Sequence, residues 1–242
     1  MRYCIFSDVH GNWEAFEAVM AAFAKENIDQ HIFLGDIVGY GADPHACIAE
    51  LRLLKPQVLI AGNHEWGVLG LLDMEYFNEY AEAAVEWTRN LLSKEELDYL
   101  KSFRLFCEAG DLTLVHGSLE QPARFKYILD SDDADLSLKL LRTPLCFIGH
   151  THVAGAYFFD EGEAISTKGA KIRIEADKKY IINAGSVGQP RDGDPRASYV
   201  IYDDKEKTAE IKRVSYDIKT AQKKIIRAGL PAWLASRLAE GR

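Results

Sequence analysis

Cysteine is sparse in this chain: there are 4 in 242 residues, at Cys4, Cys47, Cys107 and Cys146, far apart and without a CxxC pair. That spacing excludes a disulfide framework and a thiolate zinc knuckle, and reads as reduced core thiols of a cytoplasmic protein. Long apolar runs are missing too. No stretch approaches the ~18 consecutive apolar residues of a transmembrane helix, so no membrane partner is expected. Residues 1–13 hold one Arg, and Asp8 and His10 fall where the apolar centre of a secretory signal would lie, so none is expected. Positive charge is in deficit, with 29 Lys and Arg against 37 Asp and Glu and a net charge of −8. An acidic surface repels phosphate backbones, which disfavours duplex nucleic acid as a partner. Repeats and low-complexity segments are also lacking, and 48% hydrophobic with 27% charged residues is the balance of an ordinary globular chain.

What the chain does have is a regular succession of short β-rich runs, at 3–7, 31–34, 58–61, 112–115, 146–148 and 180–182, each ending in a polar or glycine corner. Stretches with 3.6-residue spacing at 13–25, 44–54, 78–92 and 93–101 predict helices between the early ones. This alternation argues for α/β with largely parallel strands. After residue 155 the pattern changes to strand runs at 156–160, 171–175, 180–183, 198–202 and 210–214 joined by short turns, which suggests an antiparallel sheet. Helices return at 217–228 and after Pro231. One domain over 1–242 is expected, with two sheets packed together and helices outside. Helical, cap-like insertions are placed at about 66–107 and 118–143. The acidic segment 130–135 reads as a solvated helix start, and 205–207 as a hairpin turn.

The chemistry-bearing residues fall directly after the strands. Asp8 and His10 follow the first, Asp36 the second, Asn63 and His64 the third, His116 the next, and His150 and His152 the one after. In an open parallel sheet the carboxyl ends of strands meet at one edge, where ligands bind. A shell of carboxylate, amide oxygen and imidazole suits Mn, Fe, Zn or Co better than Mg or Ca, and the absence of thiolate argues against a structural zinc. Asp8, His10, Asp36, Asn63, His116, His150 and His152 are too many for one tetrahedral ion. They suffice for two ions if a carboxylate bridges.

Asp8-x-His10, Gly35-Asp36-x-x-Gly39, Gly62-Asn63-His64-Glu65, His116 and Gly149-His150-Thr151-His152 together resemble the calcineurin-like metallophosphoesterase superfamily. The run Ile182-Asn183-Ala184-Gly185-Ser186-Val187-Gly188 is similar to the closing segment of its small prokaryotic branch, with Ala184 where that branch usually has Pro. The resemblance implies a four-layer αββα sandwich of two mixed β-sheets with flanking helices. It also implies two divalent or mixed-valence transition-metal ions (Mn, Fe, Zn, Co or Ni). Carried over position by position, Asp8, His10 and His152 go to one ion, Asn63, His116 and His150 to the other, and Asp36 bridges. Metal-bound hydroxide would be the nucleophile. His64, not a ligand, would protonate the leaving oxygen or stabilise its charge.

The expected activity is that of a metal-dependent phosphoesterase acting on phosphodiester or phosphoanhydride bonds of small molecules, nucleotides among them. The alternatives are a small-molecule phosphomonoesterase and a catalytically silent scaffold of the same fold. Gly39-Tyr40-Gly41 stands where the superfamily's protein phosphatases carry Asp-Arg-Gly. That removes the bidentate phosphate clamp and disfavours a Ser/Thr phosphatase. Substrate contacts are expected instead from Ser186, Gly188 and Arg191, a glycine turn followed by a cation. Aromatic residues of the two insertions, such as Trp66, Tyr76, Phe77, Phe125 and Tyr127, are candidates for stacking on a base. The expected partner is thus a small phosphorylated molecule, with a homo-oligomer left open.

Overall fold

Alternation of buried residues along the strands sorts the chain into layers. Residues 1–242 are described by a computed structural model. The first half runs β1 (Arg2–Phe6), α1 (Trp13–Phe23), β2 (Gln30–Phe33), α2 (Pro44–Leu54), β3 (Val58–Leu59), α3 (Asn63–Leu69), α4 (Glu79–Leu91) and α5 (Lys94–Lys101). There follow β4 (Phe106–Ala109), β5 (Leu112–Val115), α6 (Ser131–Leu140), β6 (Leu145–Ile148), β7 (Gly155–Asp160) and β8 (Glu163–Thr167). The chain closes with β9 (Lys171–Arg173), β10 (Tyr180–Asn183), β11 (Ala197–Asp203), β12 (Thr208–Val214), α7 (Ile218–Arg227) and α8 (Ala232–Ser236).

Two six-stranded sheets result, in the orders β3-β2-β1-β11-β12-β9 and β4-β5-β6-β10-β7-β8. Successive side chains of a strand point to opposite faces. In β1, Cys4 and Phe6 enter one hydrophobic core and Ile5 another. In β11, Tyr199 and Ile201 join the first core and Val200 the second. The second core lies between the sheets, because Leu114, Phe147 and Ile182 of the other sheet meet Ile5 and Val200 there. The first core packs the outer face of the first sheet against α1, α2, α4 and α7. A third core, with Val115, Cys146, Ile148 and Ile181, packs the other sheet against Ala134 and Leu138 of α6. These three interfaces define four layers, and the αββα architecture is observed as expected.

The later strands do not form an antiparallel sheet of their own. β11, β12 and β9 extend the first sheet, and β10, β7 and β8 extend the second, so that both sheets are mixed. Each burial pattern suits both sides of the split, which is why the sequence did not separate them. β1, β2 and β3 are mutually parallel, as are β5, β6 and β10. All four cysteines are buried and unpaired, and no helix is long and apolar enough to cross a membrane. Lys224 of α7 pairs with Glu14 of α1 (2.5 Å) and Asp43 before α2 (2.9 Å), tying the C-terminal helices to the first sheet's outer layer.

Candidate metal centre

The six parallel strands present their carboxyl ends on one edge. The loops after β1 and β2 carry Asp8 and His10, and Asp36; the first turn of α3, after β3, carries Asn63 and His64; the loops after β5 and β6 carry His116 and His150 with His152. Every one of these side chains is at most 4% exposed. Of seven histidines in the chain, only His31 and His45 lie elsewhere.

The structure brings the residues into groups whose ligand atoms lie within 4.8 Å of one another: Asp8, His10 and His152; Asp36, His116 and His150; and His10, Asp36 and His64. Asp36 Oδ2 stands 3.2 Å from His116 Nε2 and 3.7 Å from His10 Nε2, so one carboxylate faces both sides of the cluster. Asp8 Oδ1 is 3.3 Å from His152 Nε2. His10 Nε2 and His152 Nε2 face each other at 3.1 Å.

Ring orientations are set from behind. His10 Nδ1–H donates to Val38 O (2.9 Å), His116 Nδ1–H to Leu34 O (2.7 Å) and His152 Nδ1–H to Gln189 O (2.6 Å). Each carbonyl fixes the tautomer and turns Nε2 inward, the second-layer arrangement typical of metal-binding histidines. Asp36 Oδ1 accepts the His64 backbone N–H (2.9 Å), and Asp8 Oδ2 accepts that of His150 (3.0 Å). The inward atoms are left without partners: Asp8 Oδ1, Asn63 Oδ1, His116 Nε2 and His150 Nε2 are buried and unbonded. Orphaned buried acceptors converging on one point cost free energy unless a cation satisfies them. The donor set therefore fits a bound metal.

Backbone conformation adds to this. Asp8, His10, Asp36, Tyr40, His150 and His152 all have positive φ, between 51° and 67°. Non-glycine residues avoid that region, and its concentration at one edge marks strain held for function. Burial presses His10, His150 and His152 toward the neutral ring and brings His64 down to about 4. At His116 burial acts in the same direction, but Asp36 and Asp8 override it and push the ring up to about 9. Burial would raise the Asp8 and Asp36 carboxyls; the surrounding rings outweigh it and hold both well below the usual carboxylate range.

The family model of the calcineurin-like phosphoesterase superfamily domain matches residues 1–207. The chain belongs to that superfamily. The crystal structure of a metallophosphoesterase from Sphaerobacter thermophilus is similar at 41% identity and TM-score 0.89, covering 100% of both chains. An uncharacterized protein of Methanocaldococcus jannaschii, MJ0912, is 40% identical over 98% of this chain and 97% of its own. Hypothetical protein PH1004 from Pyrococcus horikoshii shares the fold alone, at 16% identity and TM-score 0.82 over 100% of this chain and 98% of its own. As a calcineurin-like phosphoesterase, the chain is a metal-dependent phosphoric ester hydrolase.

Two of the expected substrate contacts are otherwise engaged in this phosphoesterase. Ser186 is fully buried; its hydroxyl donates to Asp8 O (2.8 Å) and accepts the Gln189 N–H (2.8 Å). Gly188 N–H donates to Asp8 O (2.9 Å), and a Cβ there would stand 1.9 Å from Val9 O. Both therefore clamp the Asp8 loop. Arg191 differs: it is half-buried, held by Gln189 Oε1 (2.7 Å), with its guanidinium 5.6 Å from the centre of the Tyr40 ring. Tyr40 in turn packs on His10 (4.6 Å) and His64 (4.5 Å).

The insertion aromatics mostly form walls. Phe77 packs on His64 and Trp66 on the buried Phe125, while Tyr76 O–H donates to Phe125 O (2.8 Å), joining the two insertions. Tyr127, 43% exposed, stacks on His150 at 3.9 Å.

Glu65 stands in the Gly62–Glu65 motif but was given no role there. Fully buried, it accepts the N–H groups of Asp36 (2.7 Å), Gly62 (2.7 Å) and Ile37 (2.8 Å), bolting the Asp36 loop to the start of α3. Burial and the Asp36 charge push its carboxyl up to about 7, against the pull of those N–H groups. Its place three residues after Gly62 is the capping-box position, a signal that was present in the sequence.

Proposed function

We propose that the cluster holds two transition-metal ions and that the chain hydrolyses phosphodiester or phosphoanhydride bonds of small phosphorylated molecules, nucleotides among them. The observation that carries this reading is the position of Asp36, whose Oδ2 faces His116 on one side and His10 on the other. Asp8, His10 and His152 would hold one ion, Asn63, His116 and His150 the second, with Asp36 common to both. Such a pair, when bound, would supply Lewis acidity and an activated water for attack on phosphorus.

The protein's part is to position. The carbonyls of Val38, Leu34 and Gln189 keep three rings aimed inward before any ion arrives. His64, neutral and confined by Tyr40, His10 and Phe77, would offer its ring N–H to the leaving oxygen as negative charge develops there. Arg191 would neutralise a phosphate oxygen beside the cluster. The insertions at about 66–107 and 118–143, joined by Tyr76 and Phe125, would form a cap on the single domain that shields the site from bulk water.

The test is turnover of Mn-loaded wild type and His64→Ala on an aryl phosphodiester, an aryl phosphomonoester and a dinucleoside tetraphosphate, with metal content measured for each. We expect about two ions per chain in both proteins, and a rate loss of about 10²–10⁴-fold in the variant, the usual contribution of a positioned proton donor. Preference for the monoester would replace the diesterase reading. No turnover at full metal occupancy would favour a scaffold.

A further inference from the structure

Three of the four histidines in the proposed ligand set are turned inward by a backbone carbonyl, that of Val38, Leu34 or Gln189. His150 is the fourth, and its ring is held in another way. Its backbone is pinned, with φ of +67° and its N–H on Asp8 Oδ2 (3.0 Å). Beyond that point the ring is oriented by packing. His116 stands tilted at 4.8 Å and 55°, whereas the Tyr127 ring lies flat on the imidazole, with centroids 3.9 Å apart and planes 12° from parallel.

Tyr127 belongs to the second insertion, and its neighbours hold it still. Phe125 and Ile128 are buried to within 2% of full cover, one against Trp66 and the other in the third core. Phe125 O accepts the Tyr76 hydroxyl (2.8 Å), and Lys126 O accepts the Ser118 N–H (3.0 Å). A Cβ at Gly117 would stand 2.7 Å from Lys126 O, so glycine there lets the segment return closely over the chain that has just left His116. Leu129 N–H donates to Asp133 Oδ2 (2.9 Å) and carries the anchoring into α6. Tyr127 itself is 43% exposed and adds little to the cores its neighbours fill. Its backbone is thus fixed on both sides, while its ring spends its buried face on His150.

We infer that Tyr127 is the positioning residue of His150: its ring face does for this imidazole what the carbonyls do for the other three, so that the second insertion sets the affinity of the second ion. The inference rests on the proposed two-ion reading and adds a residue to it. Contact is between ring faces, so the hydroxyl is not required. An imidazole that shares its lone pair with a cation becomes electron-poor, and the electron-rich face of a phenol then attracts it more strongly. Stacking and metal binding therefore reinforce each other.

Two measurements on metal-depleted protein decide it. In the first, wild type, Tyr127→Phe, Tyr127→Leu and Tyr127→Ala are titrated calorimetrically with Mn, and the melting temperature of each is recorded without metal. We expect Tyr127→Phe to bind both ions as wild type does. Tyr127→Leu and Tyr127→Ala should keep the affinity for the first ion and bind the second about tenfold more weakly, the low end of what losing an orienting partner costs. Their metal-free melting temperatures should stay close to that of wild type. Wild-type affinity for both ions in Tyr127→Ala, an equal loss in Tyr127→Phe, or a parallel fall for both ions would overturn the positioning role and leave the two-ion reading intact. In the second, nuclear magnetic resonance follows cross-relaxation between the His150 and His116 ring protons, which Tyr127→Phe should retain and Tyr127→Ala should weaken. If wild type takes up no second ion, the two-ion reading fails and the ring measurement alone rules. A His150 orientation that depends on Tyr127 supports the positioning role, and one indifferent to it removes it.

Discussion

An added methyl group at Gly39 tests the position of His64 without touching a proposed ligand. Gly39 has φ of +88°, and a Cβ there would stand 2.1 Å from His64 Nδ1 and 2.9 Å from Cε1. Non-bonded contact between such atoms needs about 3.5 Å, so the ring must retreat by roughly an ångström or more. Rings pack on three sides of it, Tyr40 at 4.5 Å, His10 at 4.6 Å and Phe77 at 5.3 Å. Misplacement by about 1 Å costs on the order of 10²-fold in rate. The left-handed backbone adds about 1–2 kcal/mol of strain for a residue with a Cβ, which in a chain of this size lowers the melting temperature by roughly 2–8 °C. Gly39→Ala should therefore keep its metals, melt slightly earlier and turn over about a hundredfold more slowly. The decisive assay is a double-mutant cycle with His64→Ala. The three atoms nearest that methyl all belong to the ring, so with the ring gone the double variant should be no slower than His64→Ala alone. Wild-type turnover by Gly39→Ala at full metal occupancy, or losses that multiply in the double variant, would refute the argument.

Asp36→Asn should lose metal and activity together, because one carboxylate serves both sides of the cluster; elemental analysis still finding two tightly held ions would contradict the shared position. Glu65→Ala strands three buried N–H groups, each worth about 1–3 kcal/mol, and should lower unfolding stability by about 3 kcal/mol or more along with metal affinity. A denaturation midpoint close to wild type would show that the Asp36 loop is held by other means. Mn should stabilise the metal-depleted protein, by about 2.7 kcal/mol at a hundredfold excess over Kd. His116, pushed up to about 9 in the metal-free protein, gives that form its full stabilisation below about 6.5, the ordinary histidine value, and loses it as the pH rises through 9. The gain in melting temperature on adding Mn should accordingly be larger at pH 8 than at pH 6, and an equal gain at both would exclude proton competition for this nitrogen.

The motifs were legible because each chemical residue follows its strand within a few positions, and parallel strands bring such ends together whatever their separation in sequence. Strands β4 and β8 were not expected: β8, Glu163–Thr167, is a polar edge strand with no fully buried residue and no hydrophobic alternation to reveal it. Helix α3 was hidden because its first turn is the Asn63–Glu65 motif itself. Ser186 and Gly188 were given to the substrate on the strength of a glycine turn, yet whether a turn offers its N–H groups outward or spends them on Asp8 depends on tertiary contacts.

The left-handed residues at the strand ends have a consequence for how this protein could change. Asp8, His10, Asp36, Tyr40, His150 and His152 hold that conformation in the folded chain. Glycine and asparagine adopt it more easily than aspartate or histidine. Substitution to glycine at His10, Tyr40, His150 or His152 would relax the backbone, whereas at Asp8 and Asp36 the same gain is opposed by loss of a carboxylate that the surrounding rings favour. A screen for heat resistance that ignored turnover would thus select against the centre, one loop at a time. On the proposed reading, stability and catalysis compete at these positions.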